Sequence, residues 1–307
     1  MKISIIGAGN VGALAAMRVA EQNLGKVTLI DILKGVAQGK AEDLDDCRSI
    51  LKCHYAIQGS QEIQDIKGSD IVVVTAGLAR KPGMTREDLI SKNAEIVGSV
   101  CGAVKELAPS SIVVVVTNPL DVMTYLALQV TGFDKRKVFG MGLTLDASRF
   151  SNLIAHDLKA AVTDIEPCVI GSHGETMMPL PRFTKVKGKI LDTLGSPERI
   201  NALVERTKKR GQEIVLLLGS GSAFFAPSAA IAEIVRVIAQ DEKRVLGVSA
   251  YLDGEYGVKG ICVGVPCQLG RQGISKINIL DLNSSEKEAF LGSAESIREL
   301  IKLLKQY

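Results

Sequence analysis

The sequence predicts an α/β protein: a doubly wound parallel sheet over residues 1–142, then a mixed α+β domain over residues 143–307. Three observations carry that expectation. Short, predominantly apolar runs recur at Ile3–Ile6, Val27–Ile30, Ile71–Val74 and Ile112–Val116. Helix-compatible stretches separate them, at Val11–Gln22, Lys34–Leu51 and Arg86–Leu107. The alternation then stops near Gly140–Thr144.

Ile3–Ile6 is rich in β-branched residues and apolar but for Ser4, as fits a strand buried on both sides of a parallel sheet. Gly7-Ala8-Gly9-Asn10-Val11-Gly12 follows it and opens the first helix. G-x-G-x-x-G is a weak signal alone, but between a strand and a helix it marks a Rossmann dinucleotide loop. Its glycines let the backbone approach a pyrophosphate, and the helix start offers unpaired N–H groups to that anion. Val27–Ile30 is the second strand and ends on Asp31, roughly 20 residues past the loop. A carboxylate there accepts hydrogen bonds from a ribose hydroxyl and repels the extra phosphate of NADP, so the expected cofactor is NAD. The loop alone leaves a flavin open, although nothing else in the chain supports one.

Strand Ile71–Val74 leads into a basic segment, Leu78 to Arg86, that contains Arg80, Pro82, Gly83 and Arg86. Ligands of doubly wound sheets bind beyond the carboxyl ends of the strands. A Pro-Gly loop there can close as a lid, and arginine forks grip carboxylates. A bland basic loop fits the same residues. Strand, helix and strand in series imply right-handed crossovers.

The second half opens with a helix from about Asp146 to Leu158. Strands are expected near Cys168–Ile170, Val245–Tyr251 and Ile261–Val265. Helices are expected at Pro197–Leu218, Ser228–Gln240 and Ser285–Lys305. Ile214–Ala232 carries no charge, but Gly219-Ser220-Gly221-Ser222 and Pro227 break it. A buried turn between two helices is expected there, not a membrane span.

Composition narrows the function classes. The chain has 307 residues, 46% apolar and 23% charged, with a net charge of +3 spread along it. That suits a soluble globular protein and gives no footprint for nucleic acid. The six cysteines form no C-x-x-C pair and no metal-binding cadence with His, so free thiols in a reducing cytoplasm are expected and no metal. The N-terminus enters its first strand at once, without a leader-like apolar segment and cleavage site.

Hydride exchange with a carbonyl needs a proton donor, and histidine suits that near neutral pH. Only His54, His156 and His173 are available. His173 sits between Ser172 and Gly174, where substrate can approach closely. His156 falls inside a helix and reads as structural; His54 begins a strand candidate and reads as surface. Asp146 and Arg149 share a helical face at i and i+3 and can point into one site. A capping aspartate beside a surface arginine accounts for the same two residues.

Taken together, these segments resemble the lactate/malate dehydrogenase family, nearly end to end, and most of all its bacterial malate dehydrogenases of the lactate-dehydrogenase-like type. The carriers are GAGNVG at 7–12, TAGLARKPGMTREDL at 75–89, KNAEIV at 92–97, VVTNPLDVMTYLA at 115–127, LDASRF at 145–150, GSHGETMMPL at 171–180 and VPCQLGRQGI at 265–274. The resemblance implies NAD-dependent, reversible oxidation of (S)-malate to oxaloacetate, with residues 1–142 binding NAD and residues 143–307 forming the catalytic domain.

It also implies residue roles. His173 is the proton donor and acceptor and Asp146 its partner. Arg149 clamps the C1 carboxylate, and Arg86 polarises the reacting carbonyl. Asn118 lies near the substrate hydroxyl and the nicotinamide, before a cis bond to Pro119. Gly7, Ala8, Gly9, Asn10, Val11, Gly12, Asp31, Asn93, Val116, Thr117 and Asn118 line the cofactor. Arg80 stands where malate dehydrogenases have arginine and lactate dehydrogenases typically have glutamine, so it is expected to hold the C4 carboxylate. A homo-oligomer, dimer or tetramer, is implied too. Ala147, Glu175 and Ser220 depart from the family pattern, and none removes a group the chemistry needs. The competing expectations are a lactate or other 2-hydroxy acid dehydrogenase, an NAD-dependent glycosidase, and a non-catalytic NAD-binding sensor.

Overall fold

The structure is a computed structural model that describes residues 1–78 and 84–304. Arg80 and the tip of the basic segment lie outside the described residues.

The first half runs β1 (Lys2–Ile6), α1 (Asn10–Glu21), β2 (Lys26–Ile30), α2 (Val36–Leu51), β3 (Ile57–Ser60), β4 (Ile71–Val74), α3 (Arg86–Leu107), β5 (Ile112–Val115), α4 (Leu120–Thr131) and β6 (Val138–Gly140). These strands are parallel in the order β3-β2-β1-β4-β5-β6. The order reverses between β1 and β4, which places the binding crevice at their carboxyl ends.

The apolar runs explain the layering. Ile71 and Val73 of β4 and Ile112 and Val114 of β5 face one core, with Ala15, Ala16 and Val19 of α1. Val72, Val74, Val113 and Val115 face the opposite core, with Val97 and Cys101 of α3 and Met123 of α4. Alternation with period two thus feeds two cores at once, and β4 and β5, which serve both, have no polar residues. Each such side chain contributes roughly 1.5–3 kcal/mol by leaving water.

The second half contains α5 (Gly142–Leu158), β7 (Ile165–Glu166), β8 (Val169–Gly171), β9 (Met177–Pro179), β10 (Lys185–Val186), β11 (Lys189–Ile190), α6 (Pro197–Leu218), α7 (Phe225–Ala239), β12 (Arg244–Asp253), β13 (Lys259–Gly270), β14 (Gly273–Ile277) and α8 (Ser284–Ile301). The mixed α+β expectation holds. β12 and β13 form a long antiparallel pair. β12 joins β6 through Ser249 and Gly140, so the parallel sheet continues into antiparallel strands. α7 packs against α1, with Arg18 Nε donating to Ser228 Oγ at 3.1 Å. A helix from the second half thus packs against α1 and β13, in one core with the N-terminal sheet.

Three local expectations need correction. The helix expected from Asp146 starts four residues earlier, at Gly142, because a glycine of low helix propensity hides the true start. No strand begins at His54; it is exposed in the link before β3. The turn expected to be buried is exposed. α6 buries only Ile200, Leu203 and Thr207, all in its first half, and ends on left-handed Gly219. Its last turn projects from the body, leaving Leu216 and Leu217 74% and 85% exposed. Among the described residues no helix is long and apolar enough to cross a membrane.

Candidate active site

The dinucleotide loop forms where the sequence places it. Gly9 is the residue before α1 and has no side chain to cap it, so the first N–H groups of the helix stay available. A Cβ on Gly12 would lie 1.9 Å from the carbonyl oxygen of Gly7, which fixes a close helix–strand approach that no other residue permits. A Cβ on Gly9 would meet nothing within 4 Å, so that side is open to a ligand. Such an uncapped helix start is built for an anion.

Asp31, just past β2, is half-buried, and its Oδ2 accepts from the Ala8 N–H at 2.7 Å while Oδ1 accepts from Leu33 N–H at 2.9 Å. An ionised carboxylate has about four lone-pair sites, so two remain for ribose hydroxyls. Lys40 of α2 donates to the Ala8 carbonyl at 2.6 Å, so residue 8 is held between a carboxylate and an ammonium. These groups fit the adenosine end of a dinucleotide.

Asn93 is fully buried on α3 and braces the loops around this crevice. Its Oδ1 accepts from Leu78 N–H at 2.7 Å, and its Nδ2 donates to the carbonyls of Leu78 and Asn118 at 3.2 and 2.7 Å. It therefore shapes the crevice wall from behind. Thr117 donates to the Ala76 carbonyl at 2.6 Å and ties the loop after β5 to the loop after β4. Asn118 is exposed, and its bond to Pro119 is cis.

The chemical groups meet beneath that crevice. Asp146 is fully buried on α5, and the i, i+3 spacing does bring Arg149 to it: Arg149 Nη1 donates to Oδ1 at 3.2 Å. The other oxygen, Oδ2, lies 2.7 Å from His173 Nδ1. The structure thus joins three sequence-predicted residues through one carboxylate. The imidazole is held in place at Nδ1, which leaves Nε2 free to exchange a proton. Burial opposes charge on His173, but the adjacent Asp146 outweighs it and the imidazole is raised above its ordinary value.

Arg149 Nε is buried and has no hydrogen-bond partner among the described residues. A buried donor left unsatisfied costs about 1–3 kcal/mol, and such orphans mark places where a ligand belongs. Gly211 of α6 lies against this guanidinium: a Cβ there would come within 3.3 Å of Nη1.

Arg86 is the first residue of α3. Thr85 caps that helix, accepting from Asp88 N–H at 3.0 Å while Asp88 Oδ2 accepts from Thr85 N–H at 3.1 Å. A cation at the positive end of a helix does not stabilise it, so Arg86 reads as a ligand-facing residue. It lines a cleft with Pro119, His173, Glu175, Ser296 and Leu300.

His54 and His156 are both exposed and take no part in this cluster. All six cysteines are unbonded thiols, and burial pushes those of Cys101 and Cys168 up to about 12, which makes them poor nucleophiles.

Two features escaped the sequence reading. Asp121 accepts from the backbone N–H of His173 at 2.8 Å. A set of hydroxyls ties the His173 loop to α8: Ser172 N–H donates to Ser293 Oγ at 2.8 Å, and Ser172 Oγ lies 2.6 Å from Thr176 Oγ1. Asp121 stands three residues after Asn118, inside a stretch already matched to the family, but its partner is 52 residues away in the chain.

Residues 1–140 match the lactate/malate dehydrogenase NAD binding domain, and residues 143–307 match the lactate/malate dehydrogenase alpha/beta C-terminal domain. A malate dehydrogenase of Methanosarcina mazei is 50% identical over 304 residues, covering 99% of each chain. The solved malate dehydrogenase of Salinibacter ruber is 42% identical with a TM-score of 0.95, covering 99% of this chain and 97% of that one. The lactate dehydrogenase of Cryptosporidium parvum, solved with lactic acid and nicotinamide adenine dinucleotide, is 35% identical with a TM-score of 0.96, covering 100% of this chain and 98% of that one.

Proposed function

The chain belongs to the lactate/malate dehydrogenase family, and on that premise we propose that it is an NAD-dependent malate dehydrogenase interconverting (S)-malate and oxaloacetate. The observation that carries the chemistry is the Asp146 carboxylate shared between His173 Nδ1 and Arg149 Nη1. One carboxylate orients both an acid/base and a carboxylate-binding fork.

Each residue then has a task. Gly7 to Gly12 cradle the pyrophosphate at the start of α1, and Asp31 takes the ribose hydroxyls. Bound NAD supplies the acceptor for hydride from C2 of the substrate. Arg149 binds the C1 carboxylate through the side of its guanidinium that Asp146 leaves open. Arg86 closes over the reacting oxygen from the start of α3. His173 Nε2 takes the hydroxyl proton during oxidation and returns it during reduction. Asp146 stabilises the imidazolium in between, which is why the pair is buried together. Residues 1–142 bind the cofactor and residues 143–307 carry the acid/base and the C1 clamp, with the site at their junction. Cytoplasmic residence and a homo-oligomer belong to the same reading. The exposed apolar row from Val215 to Leu218, with Phe225 nearby, supports the latter.

Arg80 decides the substrate. Malate differs from lactate by a second carboxylate, and a buried anion needs a paired cation. Arg80→Gln is expected to lower kcat/KM for oxaloacetate by roughly 10²-fold or more, as loss of a buried ionic partner does, while pyruvate turnover is kept or gained. Steady-state rates with both keto acids check this. Unchanged discrimination between them would remove Arg80 from the specificity role.

A further inference from the structure

Among the described residues, Asp121 is a second buried carboxylate beside His173, after Asp146. It is the second residue of α4 and is 5% exposed. Its Oδ2 accepts from His173 N–H at 2.8 Å, and its Oδ1 accepts from Ser249 Oγ of β12 at 2.6 Å. One side chain thus links α4, β12 and the loop that carries the imidazole. Hydrogen bonding alone does not demand a charge here. An asparagine could accept from the same N–H and donate to the same hydroxyl, without the desolvation cost of burying a carboxylate. The charge itself needs a reason.

We propose that Asp121 is a positioning residue for His173: it fixes the peptide that carries the imidazole, and its negative charge favours the imidazolium form. The proposal rests on His173 being the acid/base. The surrounding charges support it. Asp146 and Arg149 face His173 from α5, Asp121 from α4, Arg86 from the start of α3 and Glu175 from the histidine's own loop. β12 contributes the Ser249 hydroxyl, α8 contributes the uncharged Ser296 and Ile297, and β13 contributes the Cys262 thiol, which burial and the nearby Asp121 keep neutral. Within the buried core of this cluster, Asp146 and Arg149 cancel. Asp121 is then the charge that a proton on His173 neutralises. Its place in the first turn of α4 favours the ionised carboxylate. Burial pushes the Asp121 carboxyl up, and the bonds from Ser249 and the His173 peptide oppose that.

The two reaction directions respond oppositely to this charge. Reduction of the keto acid needs imidazolium; oxidation of the hydroxy acid needs neutral imidazole. Asp121→Asn keeps the shape and both hydrogen bonds but removes the charge. The His173 imidazole is then expected to titrate about one pH unit lower. Reduction is expected to fall about tenfold on the alkaline side of the profile, while oxidation rises on the acidic side.

The experiment is histidine-ring NMR titration of the full-length protein, unmodified and Asp121→Asn, with pH profiles of kcat/KM in both directions. With only three histidines, His173→Asn assigns the resonance. A lower midpoint in the NMR and in both rate profiles supports the proposal. An unmoved NMR midpoint in a folded Asp121→Asn protein overturns it, as does an equal loss in both directions at every pH. A shifted NMR midpoint that neither rate profile follows supports the action of Asp121 on His173 and overturns the acid/base reading instead. If Asp121→Asn fails to fold, Asp121→Ser removes the same charge with a smaller group, and the same outcomes apply.

Discussion

Replacing His173 with asparagine is expected to lower kcat/KM for oxaloacetate and for malate by roughly 10²–10⁴-fold, the usual worth of a positioned acid/base. Affinity for NADH should not change, because the dinucleotide loop and Asp31 belong to separate elements at the ends of β1 and β2. The reason for so large an effect is geometric. His173 Nδ1 is held by Asp146 at 2.7 Å and its peptide by Asp121 at 2.8 Å, so Nε2 is the one proton-exchanging atom the cluster presents. Asparagine retains the peptide contact and the approximate volume but cannot carry the proton. Steady-state rates, with NADH binding followed by fluorescence, check the result. Near-full turnover with normal NADH binding would show that the proton passes elsewhere.

Replacing Arg149 with methionine is expected to cost about 3–5 kcal/mol, on the order of 10²–10⁴-fold in kcat/KM, with much of it as a raised KM. The side chain is 13% exposed and its partner Asp146 is fully buried, so the change strands a carboxylate as well as removing the substrate's fork. Arg149→Lys is expected to recover little, because an ammonium is a point charge without the planar pair of donors. The pH profile carries a second signature. The Arg149 charge holds the His173 imidazole down, so its loss should move the midpoint upward, opposite to Asp121→Asn. Titration of the methionine variant separates the two effects. A downward or unchanged midpoint would place Arg149 outside the charge cluster around His173.

What was legible in the sequence follows from how local its cause is. Four of the six parallel strands were readable because burial on two faces leaves apolar runs such as Ile71–Val74, whereas β3 and β6 are too short or too polar to stand out. α3 and α6 were found to the residue: the first follows Thr85, whose side chain caps it, and the second opens on Ser196-Pro197. The spacing of Asp146 and Arg149 placed both on one helical face before any coordinates, and their ion pair is where that spacing put it. Asp146 was only a candidate partner for His173 until family resemblance implied the pairing, since nothing local links residues 27 positions apart. Asp121 was missed for the same reason. The exposed end of α6 was misread because an uncharged run reports apolarity and not the direction in which a helix projects. Leu216 and Leu217 look like core residues in sequence and face outward in this chain.

The central claim is that this site is built for a substrate with two carboxylates. The most direct test measures NADH oxidation with oxaloacetate and with pyruvate, side by side, as kcat/KM on the unmodified protein. Malate dehydrogenase chemistry predicts a preference for oxaloacetate of roughly 10²-fold or more, the discrimination expected when the smaller substrate lacks the second carboxylate that a cation in the site would pair with. A preference for pyruvate would contradict the assignment of substrate while leaving the His173–Asp146 chemistry in place. Turnover of neither keto acid, by a protein that still binds NADH, would contradict the account as a whole.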